Sequence, residues 1–376
     1  MTLLTDDQKQ LQDMARTFLA EEGTIKKQLR HWRDTGCKDG FGHGLWKQFA
    51  ELGLTGLAIS EDQGGLGLGA TEAALVLEEI GRNLTPSPFL TTAIAAVKAL
   101  EGTAQGERWF PGILTGETVA ALAIDEGRHH APEQIALEAR RQGNGFVLNG
   151  AKQFVVHGAS ADVTLVAART GGSPGEREGL TLFAVEQGAS GLKVENVALT
   201  DSSRAARLSF NDVAVDADAV VGEVDGGWTP LSRVLAAGRA GAAAELVGVA
   251  AGASDMTVEY FKARKQFGRL IGEFQALQHR AAHLHSEIEI ARATAWKAAE
   301  LLDRGAPQAE LMVHVAKAKA GRSALLAVQE GVQMHGGIGM TDEHDIGLYM
   351  KHEAVLGKLW GDWRYHARQV AELSGY

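Results

Sequence analysis

One run of apolar residues limits what this chain can become. Leu270, Phe274, Leu277, Ala281, Leu284, Ile288, Ala291, Ala295, Ala298 and Leu302 alternate steps of four and three. That stripe, sustained over about four heptads, is buried only against other helices, so the C-terminal part reads as a helical block. Just ahead of it, Arg264, Gln266, Phe267 and Gly268 crowd the expected helix entrance. An arginine and an amide beside free helix N–H groups make an anion clamp suited to a pyrophosphate. A solvated basic helix start accounts for the same residues equally well.

The charge balance is acidic, −10 over 376 residues. That argues against nucleic acid or an anionic membrane as principal partner. The length suffices for two or three domains. A single cysteine, Cys37, excludes an intrachain disulfide and gives the expectation of a cytoplasmic protein. No uninterrupted run reaches the ~18 apolar residues of a membrane span, and the first residues lack a signal peptide's basic-then-apolar order. No membrane insertion is expected. Only 7 prolines and abundant alanine point to a helix-rich chain.

Taken in order, residues 3 to 20 read as an amphipathic helix with Thr5 as N-cap. A second helix holds Leu45, Trp46, Phe49 and Leu52. The string Gly65-x-Gly67-x-x-Ala70 imitates a dinucleotide fingerprint. No acidic residue follows near position 90, and helices rather than a βαβ unit come next, so it reads as a loop into a helix over 71 to 82. From about 118 to 225 the texture changes to short Val-, Leu- and Phe-rich runs, among them 146–148, 163–166, 180–185 and 206–210. A polar loop is expected over 169 to 178. Thr229-Pro230 reads as N-cap and first position of a helix that carries Gly238, Gly241, Gly248 and Gly252. Glycine weakens a helix interior, so these mark close approach of backbones or of a ligand, or simple drift between glycine and alanine. Pro307 opens the next helix, to about Gln333. His279 and His283, with Glu287 a turn further, offer a geometrically possible metal pair; on a helix with a filled seam they read as exposed.

Two strings carry a resemblance. Arg264 to Gln278, of the form R-x-x-F-G then I-x-x-F-Q-x-x-Q, and QMHGGIGMTDE at 333 to 343 are similar to the two signatures of the acyl-CoA dehydrogenases. GGLG at 64 to 67, with Ser60 where the family has proline, and ERWFPGILTGE at 107 to 117 also match. The resemblance implies an α+β fold of three domains: N-terminal helices (1–117), a middle β domain (118–225) and a C-terminal four-helix domain (226–376). It also implies FAD, an acyl-CoA substrate and an electron-transfer acceptor. In such enzymes the flavin lies between the β domain of one subunit and the C-terminal helices of its neighbour. It takes a hydride from the acyl β-carbon while a glutamate removes the α-proton.

Carried over residue by residue, Arg264, Gln266 and Phe267 would reach the neighbour's flavin at its pyrophosphate side. Phe274 and Gln275 would line it, and Gln333, Met334, His335, Gly336 and Gly337 would complete the adenine end. The half-site that a subunit supplies to its own flavin departs from the pattern. Where the family has T-E-P-x-A-G-S-D, this chain has Asp125-Glu126-Gly127-Arg128-His129-His130-Ala131-Pro132, and W-[IV]-[TS] is Phe154-Val155-Val156. The two positions that hold the base in the family carry Trp360 and Gly238. Asp362, Glu245 and Glu353 are the nearest substitutes, none of them on the right helical face at the right height. The expectation is therefore the glutamate-lacking subunit of a heteromeric α2β2 acyl-CoA dehydrogenase, of the kind found in steroid and bile-acid side-chain degradation, completed by a sister subunit. A self-sufficient homotetramer with an unconventional base and a non-catalytic binding protein are the alternatives.

Overall fold

The computed structural model describes residues 4–376. Helices occupy Asp6–Glu21 (α1), His31–Asp34 (α2), His43–Glu51 (α3), Ala70–Asn83 (α4), Val97–Leu100 (α5) and Ala104–Leu114 (α6). Strands follow at Ala120–Ala123 (β1), Glu138–Gln142 (β2), Gly145–Val156 (β3), Val163–Arg169 (β4), Leu180–Glu186 (β5), Leu192–Ala198 (β6), Arg204–Val215 (β7) and Val220–Val221 (β8). Helix α7 spans Trp228–Ala263, a two-strand ribbon Lys265–Gln266 (β9) and Arg269–Leu270 (β10), and helices α8 Gln275–Asp303, α9 Ala309–His335, α10 Ile346–Leu356 and α11 Trp363–Leu373 complete the chain. Thr5 caps α1 through a reciprocal capping box with Gln8, as its hydroxyl permits. Leu3, the start of the helix expected there, lies outside the described residues. Helix α7 begins at Trp228, so Thr229 and Pro230 sit inside its first turn, and α9 begins two residues after Pro307.

The chain forms two compact units that cut across its order. Residues 32–69 and 86–238 form one of them. Its eight-stranded sheet runs β6-β7-β3-β2-β4-β5-β8, with β1 parallel to β4. All seven residues of β4 are buried, and six of seven in β5, which is why these runs are continuously apolar. Strand β2, Glu-Ala-Arg-Arg-Gln, has one buried residue and carries no apolar signal; pairing with β3 and β4 alone holds it. Strand β3 slips register against β7 between Lys152 and Val155, a bulge that turns Phe154 to φ 54. The helical part of this unit packs on Trp46, Phe49, Phe89 and Phe110, and Phe89 opens a π-helical stretch to Ala96 ahead of α5. The glycine loop is structural. Leu66, Gly67 and Leu68 bond Gly56, Ile59 and Leu57 in a zipper, and a Cβ on Gly65 would lie 2.2 Å from the Ile59 carbonyl.

The other unit comprises, among the described residues, 4–31, 70–85 and 239–376. Helices α4 and α7 touch backbone to backbone. A Cβ on Gly248 would stand 1.9 Å from the Glu78 carbonyl oxygen, and one on Gly81 would stand 2.0 Å from that of Glu245. Close helix approach is therefore the reason for Gly248. Beside this crossing Glu78 accepts from Arg292 at 2.8 Å and Glu79 from Arg16 at 2.9 Å, so two buried carboxylates are matched by guanidinium groups from α8 and α1. The seam of α8 is buried at Leu284, Ile288, Ala291, Ala295 and Ala298, where it lies along α9 and α4. Helix α7 has the length and composition of a membrane span, but 89% of its apolar window is buried within the protein.

Candidate functional site

The first signature folds otherwise than its spacing suggests. Helix α7 stops at Ala263, and Arg264 to Phe274 form a ribbon and a 3-10 turn; α8 begins only at Gln275. Arg264 thus stands at the C-terminal end of one helix, not at the N-terminal end of another, and the helix-dipole part of the anion clamp is withdrawn. Leu270 belongs to β10 and Phe274 is the N-cap of α8. Phe274 shares the apolar character of the seam because it packs, with Leu277 and Ala281, on the buried cluster of Phe261, Ile271 and Met334.

Phe267 and Gly268, both left-handed at φ 53 and 81, make the two-residue turn of the ribbon. Glycine takes this conformation freely. A phenylalanine there costs about 1–3 kcal/mol and persists where the surroundings or a function impose it. Phe267 is 91% exposed, its ring edge-on to Phe274 at 6.2 Å. Arg264, Gln266 and Phe267 are all exposed on the ribbon, as is Gln275 just beyond it.

The second signature ends α9. Gln333, Gly336 and Gly337 are exposed, Gly336 at φ 65, and at both glycines the space that a Cβ would take is open for 4 Å. Met334 and His335 point the other way. They are 7% and 3% exposed, packed inside this chain, so their side chains cannot present themselves to a neighbour's cofactor. The flavin-facing set expected from sequence contracts accordingly to Arg264, Gln266, Phe267, Gln275, Gln333, Gly336 and Gly337, with Phe274 half-buried behind them.

The strip at 125–131 is folded onto itself. His130 Nδ1 lies 2.8 and 3.0 Å from the two Asp125 carboxylate oxygens. Glu126 accepts from Lys152 Nζ at 2.8 Å and from the backbone N–H groups of Ala136 and Leu137. Lys152 also donates to the Ile124 carbonyl at 2.9 Å, and its complete burial pushes its pKa down against the pull of Glu126. Sequence reasoning noted the missing hydroxyls but not these contacts, whose partners lie five and 26 residues apart. Next to the half-buried Phe154 and Val156, His157 is buried at φ 59, bonded to Thr91 at 3.0 Å, with a pKa lowered by burial to about 4.

At the family's base position Trp360 is 4% exposed and left-handed, φ 54. Its carbonyl accepts from Arg239 Nε at 3.2 Å. Lys317, buried on α9, donates to the carbonyls of Leu356, Gly357 and Gly361 at 3.3–3.4 Å, so donors from two helices hold the turn around this indole. Burial brings the Lys317 pKa down to about 7. Two of the substitute carboxylates are committed elsewhere. Asp362 caps α11 at the N–H groups of Arg364 and Tyr365 and Glu245 meets His352 at 3.3 Å, while Glu353 is buried on α10, seven residues before Trp360, with its pKa raised by burial. His279 and His283 are exposed, and no group of three metal ligands occurs among the described residues.

Three family models match the chain. The acyl-CoA dehydrogenase N-terminal, middle and C-terminal domain models match residues 5–117, 125–213 and 225–372. This chain belongs to the acyl-CoA dehydrogenase family. The cyclohex-1-ene-1-carbonyl-CoA dehydrogenase of Geobacter metallireducens is 31% identical over 98% of this chain and 98% of its own length. A chain of the Tcur3481-Tcur3483 steroid ACAD superposes with a TM-score of 0.87 at 30% identity, covering 98% of each chain. A chain of the ChsE4-ChsE5 complex from Mycobacterium tuberculosis does so with a TM-score of 0.87 at 25% identity over 100% of both.

Proposed function

We propose that this chain is the non-base-carrying subunit of a flavin-dependent acyl-CoA dehydrogenase and completes the FAD site of a sister chain that carries the glutamate. The observation that carries the reading is a lopsided preservation. The donated segments are exposed and open, with a phenylalanine held in a costly conformation at their tip. The segments that would serve this chain's own flavin and substrate have Asp125 tied to His130, where the family pattern has a threonine and a glycine, and a buried Trp360 in place of the glutamate.

FAD fits the donated half. Arg264 would hold pyrophosphate oxygens, Gln266 and Gln275 would donate amide hydrogen bonds, and Phe267 would cover a flank of the cofactor from water. Gly336 and Gly337 would admit it against backbone. When bound, FAD supplies the hydride acceptor for α,β-dehydrogenation of an acyl-CoA thioester. The α-proton goes to the sister's glutamate, because this chain presents no free carboxylate at either base position. The relatives named as two-component proteins support a heteromeric assembly, and the single cysteine supports a cytoplasmic location.

Activity on mixing tests the proposal. Acyl-CoA-dependent reduction of an artificial electron acceptor is expected from the co-expressed pair and from neither chain alone. Turnover by this chain alone, with FAD added, would return the self-sufficient reading to first place.

A further inference from the structure

We propose that the ring cluster of Tyr260, His335 and His344, in which Tyr260 stacks on His335, is a brace that fixes the spacing of the two flavin-facing segments, with His335 its positioning residue. The proposal rests on the donated half-site described above. The Tyr260 carbonyl accepts the backbone N–H of Arg264 at 2.8 Å, so this residue anchors the first segment. Its ring stacks on His335 with centroids 4.4 Å apart and planes 29° from parallel. His335 is the last residue of α9, immediately before Gly336 and Gly337, and a Cβ on Gly339 would lie 3.0 Å from its own Cβ. The second segment therefore wraps the ring that the first segment stacks on. His344, on the far side of that turn, closes the group at 4.4 Å from His335 and 6.1 Å from Tyr260.

The hydrogen bonds fix both tautomers. His335 Nδ1 faces the Gly331 carbonyl at 2.7 Å and so carries the proton; its Nε2 is buried without a partner among the described residues. His344 Nδ1 accepts the Ile346 N–H at 3.2 Å and so lacks one. A second proton on His335 would be buried with no acceptor, and one on His344 would confront an N–H group. Both imidazoles must stay neutral for the brace to hold.

The surrounding charges do not reverse this. Burial lowers the His335 pKa most, the Gly331 bond raises it and His344 lowers it further. For His344 burial again dominates, with Asp345 raising and Arg30 lowering. Asp345 is itself paired to Arg30 at 2.6 Å, and the cleft beside His344 is lined by Arg82, Asp255, Glu259, Tyr260 and Tyr349. With folded values below the ordinary 6.5, the loosened state binds more protons. The brace therefore weakens as pH falls below about 6.5 and is at full strength above it.

Amide hydrogen exchange on the full chain, without flavin or partner, reads the brace directly. In His335→Ala, exchange over 264–270 and over 336–345 should rise together at pH 7.5, by about tenfold. His335→Phe, which keeps a stacking ring but cannot titrate, should restore both segments. In the wild type both should loosen together between pH 7.5 and 5.5, after correction for intrinsic exchange, and His335→Phe should loosen less. If His335→Ala frees 336–345 alone and leaves 264–270 at the wild-type rate, there is no brace. If His335→Phe exchanges as fast as His335→Ala in both segments, the Gly331 bond rather than the stack holds the turn, and the proposal fails. Flavin retention by the same variants in the co-purified pair separates the two ideas. Segments that loosen together while flavin is retained would leave the brace standing and sink the donated half-site.

Discussion

Replacing Arg264 with alanine should strip flavin from the assembled enzyme while this chain stays folded. The guanidinium is exposed on the ribbon and nothing in the core leans on it, whereas the backbone N–H that anchors the segment to Tyr260 survives the change. A charge-assisted hydrogen bond is worth about 1.5–3 kcal/mol, so flavin affinity should fall by roughly ten- to a hundredfold. The check is flavin retained after gel filtration of the co-purified pair, beside the urea midpoint of the variant chain alone. Undiminished retention would reduce the first signature to a structural device in this chain.

The second large effect is a failure to gain function. Trp360→Glu restores the family's residue at the base position, yet it should create no dehydrogenase in the isolated chain. The glutamate would sit in a turn held by Arg239 and Lys317. Asp125 would still be tied to His130, and Ala131 and Val156 would still lack a hydroxyl. Removing a buried indole should also cost stability, about 3–5 kcal/mol by the measure of large-to-small core changes. Acyl-CoA-dependent reduction of an artificial acceptor by the purified variant, its fold verified by circular dichroism, is the measurement. Clear turnover would mean that Asp125, Ala131 and Val156 are not losses.

The parts of this protein that the sequence displayed are those in which one local pattern dominates. The seam from Leu284 onward is buried as its spacing requires, because every step of four and three lands on the same face of an unbroken helix. Strands β4 and β5 announced themselves because both faces are covered. The reading faltered where tertiary contacts decide. Leu270 and Phe274 continue the apolar rhythm but sit on a ribbon strand and at the cap of α8, and only the left-handed pair Phe267-Gly268 distinguishes the two. Nothing in the composition of β2 marks a strand. The contact between Asp125 and His130 ties up one of the substituted positions, and no spacing rule pairs Glu126 with Lys152, 26 residues away. Met334 and His335 lay within a matched signature, yet a motif does not say which of its side chains face inward. Burial assigned them to the core.

The central claim is that only the donated half of this chain's flavin chemistry is intact. Flavin absorbance against protein mass, on this chain alone and on the co-purified pair, tests it most directly. The account predicts a colourless chain alone and one flavin for every two chains in the pair. A preparation of this chain by itself that binds one flavin per chain would contradict it.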